Sequence, residues 1–340
     1  MVQRIRQPDH NVKKKNKVVP FLVFLNVLLW GSAIYLWFQN HESRPTVSSD
    51  FTYTQEIEPF NVIPNPTFND HSVEEYSEVT FSIHSNYALL INLTTGDVLF
   101  AHNERERAYP ASITKIMTVL VALEHAEEET LTVQADFNEL YIAQAATAGF
   151  EYGETRTLSE VLHGAMLPSG ADATSTIAYH FGGDYQGFVD LMNATALRLG
   201  MFDTHFTNAS GLHDDDHYTT AFDIAILLEY ALQVEGFREV FTASFYPITT
   251  SDGQEHIMNS TMFRSIHTNE RTPAFSGGEI LGGKDGFTHP AGLALASLAT
   301  DGMDEYILIT LRAPAPHETE VMNPHVVDAF TIYEYFLNEY

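Results

Sequence analysis

Tyr109-Pro110-Ala111-Ser112-Ile113-Thr114-Lys115-Ile116-Met117-Thr118 is the stretch from which the rest of the chain is read. Pro110 and the residues after it suit the start of a helix. Within a helix, residues three apart share a face, so Lys115 can stand beside the Ser112 hydroxyl. A serine hydroxyl is a poor nucleophile until a neighbouring base takes its proton. A lysine amine serves as that base only when burial or a second cation lowers its pKa. The positive field at a helix N-terminus favours a developing oxyanion. Ser-x-x-Lys alone is a weak signal, because any helix can carry it. Lysine usage strengthens it. The chain has six lysines: Lys13, Lys14, Lys15 and Lys17 in the first 17 residues, then only Lys115 and Lys284.

The 340 residues suffice for one large domain or two small ones, and the apolar fraction supports a core. There is no cysteine, which rules out disulfides and thiolate metal sites and suits an exported protein that does without disulfides. Residues 1–17 hold six Lys/Arg and one acid, whereas the remainder holds eleven Lys/Arg and 44 acids. Such a surface repels nucleic acid and anionic headgroups, so no nucleic-acid partner is expected. It fits a saline, alkaline or cation-rich exterior and equally fits plain solubility.

Residues 20–38, PFLVFLNVLLWGSAIYLWF, are almost wholly apolar and as a helix span roughly 30 Å, about one bilayer core. Trp30, Tyr35 and Trp37 suit the interface, and the preceding basic cluster places the N-terminus in the cytoplasm. The expected organisation is a basic cytoplasmic tail (1–18), a single-pass membrane anchor (19–39), an extracellular linker (40–78) and an extracellular domain (79–340). A cleaved signal peptide is the alternative for the apolar run. The linker reading rests on Pro45, Pro59, Pro64 and Pro66 in a polar, aperiodic stretch.

Residues 87–93 and 98–101 flank Thr94-Thr95-Gly96-Asp97 and predict a hairpin. The Ser112 helix runs to about residue 124, with Ile116, Met117, Leu120 and Leu123 as its apolar face. Helices are predicted over 158–166, 173–181 and 185–199, and another ending near 232. Strand-like runs cover 279–287, 292–299 and 305–311, and an amphipathic helix over 326–337 closes the chain. Terminal strands with helices between them predict one α/β (α+β) domain, a sheet covered by helices.

Three further runs resemble the serine D-alanyl-D-alanine carboxypeptidases, the low-molecular-weight penicillin-binding proteins of the β-lactamase/transpeptidase-like superfamily. They are Arg107-Ala108-Tyr109-Pro110-Ala111-Ser112, Leu167-Pro168-Ser169-Gly170-Ala171-Asp172, and the stretch 199–232. Gly282-Gly283-Lys284-Asp285-Gly286-Phe287-Thr288 is similar to that superfamily's Lys-Thr-Gly element. Order and spacing agree from about residue 87 to the C-terminus. The resemblance implies an antiparallel sheet flanked by helices with an all-helical region beside it, and no cofactor or metal. It implies that Ser112 attacks the carbonyl between the last two D-alanines of a peptidoglycan stem peptide and that Lys115 takes its proton. Ser169 would sit between Lys115 and Lys284, held by Lys284, and relay protons to the leaving D-alanine. Lys284, Asp285, Gly286, Phe287 and Thr288 would bind substrate, with the Ser112 and Phe287 N–H groups as oxyanion hole. β-Lactam antibiotics would acylate the same serine.

Two residues depart from the family pattern. Ala171 stands where the family has an Asn amide, and Asp285 where it has a Thr hydroxyl that donates to the substrate carboxylate. An ionised Asp285 cannot donate, so it is expected to be protonated or to point away, with Thr288 as substitute donor. Arg312 is the nearest candidate for the family's basic residue after this strand. The family's second β-domain and C-terminal membrane helix have no counterpart here. With both departures, a wall-binding protein without turnover stays open beside the carboxypeptidase. A β-lactamase or esterase is disfavoured, since no Glu-x-x-Leu-Asn segment follows Ser169. His213-Asp214-Asp215-Asp216-His217 reads as an acidic, solvent-facing turn rather than a metal site, since His-Glu-x-x-His and cysteine are both missing.

Overall fold

The computed structural model describes Phe68 and residues 81–338, apart from 127–129, 136–139, 141–142 and 316. The first hairpin forms as the turn signal predicts: β1 (Tyr87–Asn92) and β2 (Val98–His102) pair antiparallel. Asn92 shapes the turn, its Oδ1 accepting from the Thr94 and Thr95 N–H groups. A 3-10 turn, Ala111–Thr114, then leads into α1 (Lys115–His125). Ser112 therefore stands in the 3-10 turn, one step ahead of the α-helix the spacing predicts. Residues i and i+3 eclipse in 3-10 geometry, so Ser112 and Lys115 stay together.

A small ribbon of β3 (Thr130–Thr132) and β4 (Thr155–Thr157) feeds α2 (Leu158–Met166). Thr157 caps α2, its hydroxyl accepting from the Glu160 N–H while the Glu160 carboxylate accepts from the Thr157 N–H. Helices α3 (Ala171–Phe181), α4 (Tyr185–Leu199), α5 (Ala221–Ala231) and α6 (Phe237–Thr242) follow. A second ribbon, β5 (Phe245–Thr249) with β6 (Glu255–Asn259), precedes α7 (Thr261–Thr268). The chain ends in β7 (Ala274–Phe275), β8 (Gly278–Thr288), β9 (Gly292–Thr300), β10 (Glu305–Ala313) and α8 (Pro324–Leu337).

The main sheet has the order β2-β1-β10-β9-β8-β7, antiparallel throughout, so the first strand closes against the last. The central strands are buried on both faces, and their pleat sends alternate residues into two cores. Leu89 and Ile91 of β1 and Ile307, Ile309 and Leu311 of β10 face the helical region, packed with Ile116 and Leu120 of α1 and Leu227 of α5. Leu90, Leu295 and Leu308 face the other way, onto Phe330 and Tyr333 of α8 and Met262 and Ile266 of α7. Double coverage explains why β9, Gly292–Thr300, is an almost unbroken apolar run.

These elements belong to one compact unit, Pro59–Tyr340. Phe68, in the stretch expected to be linker, is buried edge-on against the Phe222 ring. No helix among the described residues is long and apolar enough to cross a membrane. The expected basic tail, the apolar run 20–38 and all of the expected linker except Phe68 lie outside the described residues, up to residue 80.

Candidate active site

The end of β8, the turn before α1 and the start of α3 meet around a cleft of about 1010 Å³. Ser112, Lys115, Ser169, Phe287 and Thr288 all line it. Glycines make the close approach possible. A Cβ on Gly286 would come within 2.8 Å of the Ser112 nitrogen, and one on Gly211, at φ 82°, within 1.9 Å of the Ala111 carbonyl oxygen. Strand β8 thus passes directly over the Ser112 turn.

Lys115 Nζ lies 3.1 Å from Ser112 Oγ and donates to the Ser210 carbonyl. Asn208 shapes the loop that presents this carbonyl, its Oδ1 accepting from the Ser210 and Gly211 N–H groups. Lys115 is buried and has no ion-pair partner among the described residues. Burial first, and then the charge of Lys284, push its pKa well below the ordinary lysine value against the weaker pull of Asp172 and Asp285. An amine in this setting can accept a proton near neutral pH.

The turn itself is braced from behind. The Thr207 N–H donates to His217 Nδ1 at 3.0 Å, which leaves the ring proton on Nε2. Nε2–H then donates to Thr114 Oγ1 at 2.8 Å, and that hydroxyl donates to the Ala111 carbonyl at 2.8 Å. Ala111 is held at φ 47°, a left-handed conformation uncommon for alanine. His217 is fully buried, unlike His213 to Asp216, which are exposed as the sequence predicts. Burial pushes its pKa down to about 4 despite the nearby Asp214.

Ser169 also sits at positive φ, 65°, and its buried Oγ has no hydrogen-bond partner among the described residues. The relay expected between Ser169 and Lys284 is not made by a direct bond. Lys284 Nζ donates instead to the Asp285 carbonyl (2.6 Å), the Asp285 Oδ1 (3.1 Å) and Thr261 Oγ1 (3.3 Å). Lys284, Asp285 and Gly286 do not line the cleft. The Asp285 carboxylate faces α7, accepting from the Thr261 hydroxyl and, at 3.4 Å, from that of Ser265. Burial opposes its ionisation, but the Lys284 charge and, among the hydroxyls, that of Thr261 help to prevail and hold it below the usual carboxylate range. Of the two expectations for Asp285, protonated or turned away, the geometry is the second.

Thr288 faces the cleft and its Oγ1 accepts from the Ala291 N–H at 3.2 Å, which leaves its own O–H to donate. Ala171 is buried against Leu140 and Ala135, with Ala145 beside them, so an apolar wall replaces the amide of the family pattern. Arg312 lies at a bulge in β10 and donates to the carbonyl of Pro290 on the cleft rim.

Asp172 has a structural part that its motif did not disclose. Its Oδ1 accepts from the Ala148 N–H at 2.7 Å, and its Oδ2 from the Gly149 and Phe150 N–H groups at 3.1 Å each. It thereby ties down the loop whose residues 143–146 wall the cleft. An acid in the first turn of a helix was the available signal. Among the described residues no group of three or more His, Cys, Asp or Glu could hold a metal ion.

A helix-covered antiparallel sheet with a half-buried serine beside a buried lysine, next to the end of β8, defines a transpeptidase-like fold. The chain belongs to the D-alanyl-D-alanine carboxypeptidase family, peptidase family S11, whose model matches residues 72–315. D-alanyl-D-alanine carboxypeptidase DacF of Bacillus subtilis is 31% identical over 73% of this chain and 62% of its own length. The D-alanyl-D-alanine carboxypeptidase of Streptomyces strain K15 is 29% identical over 72% of this chain and 87% of its own. A mutant of the Streptomyces K15 DD-transpeptidase superposes with a TM-score of 0.65 at 25% identity, covering 75% of this chain and 98% of that one. The match spans less than two thirds of the Bacillus relative.

Proposed function

We propose that the protein is an extracytoplasmic serine D-alanyl-D-alanine carboxypeptidase that removes the terminal D-alanine from peptidoglycan stem peptides through an acyl-enzyme on Ser112. One observation carries the reading: Lys115, one of two lysines after residue 17, is buried 3.1 Å from the Ser112 hydroxyl at the wall of an open cleft. Ser112 Oγ attacks the carbonyl of the penultimate D-alanine as Lys115 Nζ accepts its proton. The Ser112 and Phe287 N–H groups receive the oxyanion. Ser169 Oγ passes a proton to the departing D-alanine, and water releases the acyl group. Thr288 and Arg312 bind the terminal carboxylate, and β-lactams acylate Ser112 in the same way. The apolar run 20–38 anchors the protein, with residues 79–340 as catalytic domain outside the membrane and residues 40–78 as spacer.

A wall-binding protein without turnover is the second reading, drawn from Ala171 and Asp285. The direction of Asp285 weakens it, because the carboxylate faces α7 and not the cleft. The test is intact mass spectrometry of the protein after incubation with penicillin, beside release of D-alanine from a peptide ending in D-Ala-D-Ala. The reading expects an adduct of one penicillin and steady release. Absence of adduct, drug consumption and release on folded protein overturns it; an adduct without release selects the second reading. Thr288→Val should lower kcat/KM for that peptide by about 10- to 100-fold, the cost of one hydrogen bond to a charged group, through KM more than kcat. An unchanged KM would remove Thr288 from carboxylate binding.

A further inference from the structure

Two lysines are buried in the protein, Lys115 at the cleft and Lys284 behind its wall, and their surroundings differ in kind. Among the described residues Lys115 has the Ser112 hydroxyl and the Ser210 carbonyl for hydrogen-bond partners. Lys284 has a carboxylate on its own neighbour, where the family pattern places a neutral threonine. Asp285 Oδ1 lies 3.1 Å from Lys284 Nζ, and the Thr261 hydroxyl touches both, 3.3 Å from the amine. Ser265 holds the other carboxylate oxygen. We propose that Asp285 is a positioning residue: its carboxylate holds the Lys284 ammonium charged and turned toward α7, which divides the pair into a fixed cation, Lys284, and a proton-accepting amine, Lys115.

Two identical side chains in one low-dielectric site compete for a single proton, and without a bias either could carry it. A carboxylate at ion-pair distance on one of them decides the matter. The fixed charge on Lys284 then disfavours a proton on Lys115, in keeping with the downward push that Lys284 exerts there. Burial also lowers Lys284, and Asp285 is the group that opposes this. Asp285 itself also favours a proton on Lys115, as the last of the influences there, and the neutral ring of His217 faces Lys115 from behind the turn. Arg264 on α7 works against a charge on Lys284. His325 on α8 is buried, favours the neutral ring and lies under the opposing influence of Asp285 and Lys284, with Asp328 one turn further on. Asp172 on α3 favours a charge on Lys115 and is outweighed by burial. Asp285 thus acts on the reaction through Lys284 and Lys115 without touching substrate.

The catalytic consequence rests on the carboxypeptidase reading; the protonation states do not, so the test reads them directly. The full chain labelled with 13C at lysine Cε gives six signals, four of them from Lys13, Lys14, Lys15 and Lys17. Spectra of Lys115→Arg and Lys284→Arg assign the other two. Titration of the wild type should show Lys115 losing its proton at lower pH than Lys284. In Asp285→Asn the Lys284 midpoint should fall by about one pH unit or more. A Lys284 midpoint unchanged in Asp285→Asn overturns the proposal. So does a wild-type Lys115 that titrates above Lys284, a result available even if the variant fails to fold. A protein that shows the expected titrations but no acylation keeps the charge assignment and loses the carboxypeptidase reading.

Discussion

Lys115→Met should lower the rate of acylation by penicillin by about 10²- to 10⁴-fold, the range of a positioned general base, while leaving the fold intact. Methionine is close to lysine in length and apolar, and position 115 is buried, so removal of the amine relieves a desolvation cost instead of opening a cavity. Two polar groups lose a partner, the Ser112 hydroxyl and the Ser210 carbonyl. The first lies at the open cleft and can turn to water. Stopped-flow acylation read by intact mass, with Ser112→Ala as the zero point, checks the rate; a thermal melt checks the fold. A Lys115→Met protein that acylates at the wild-type rate would remove Lys115 from proton transfer. In the wild type the rate should rise with pH as Lys115 loses its proton.

The second large effect is on stability and runs through His217. Its ring is neutral because Nδ1 must accept from the Thr207 N–H. Protonation would break that bond and place a buried cation behind the Ser112 turn. The folded pKa, about 4, lies below the unfolded value of about 6.5. The unfolded chain therefore takes up this proton first as pH falls. The stability contributed by a neutral His217 is complete above about pH 6.5 and is lost progressively as pH drops toward 4, by about 3 kcal/mol over the window. His217→Gln cannot titrate. The wild type and this variant should differ most at neutral pH and converge below pH 5 in urea unfolding. A difference that stays constant between pH 7 and pH 4.5 would show that His217 is not held neutral. In the folded protein the ring takes up its proton only near pH 4, so a loss of acylation through Thr114 and Ala111, which the ring fixes beside the nucleophile, is expected there and not near pH 6.

Much of the fold was legible because its signals are local. The Thr94-Thr95-Gly96-Asp97 turn marks a hairpin, and α2 and α4 carry clear apolar periods with capping residues Thr157 and Asp184 at their starts. The ribbons β3–β4 and β5–β6 and helix α7 were not foreseen. The ribbons are short, half-exposed strands whose alternation is interrupted by Pro247 and polar residues, while α7 does carry an apolar face, Met262, Phe263 and Ile266, but over only eight residues. At the site, Ser112 and Lys115 were legible from spacing and from the scarcity of lysine. Asp172, His217 and the Ser210 carbonyl were not. Each pairs with a group distant in the chain, with a backbone group on one side of the contact, and such partners leave no trace in spacing.

By itself the sequence determined the family, the Ser112–Lys115 pair and the two departures at Ala171 and Asp285, since these depend on residue identity at short range. Only the tertiary structure decided what the departures do. Asp285 neighbours Lys284 in the chain, yet whether its carboxylate meets substrate or cation depends on α7, whose Thr261 and Ser265 hydroxyls supply the pocket that draws it from the cleft. Ala171 becomes part of an apolar wall because Leu140 and Ala135 pack on it. Side-chain direction at a strand end is set by the long-range packing on either side of the sheet, and that packing exists only once the chain has closed β1 against β10.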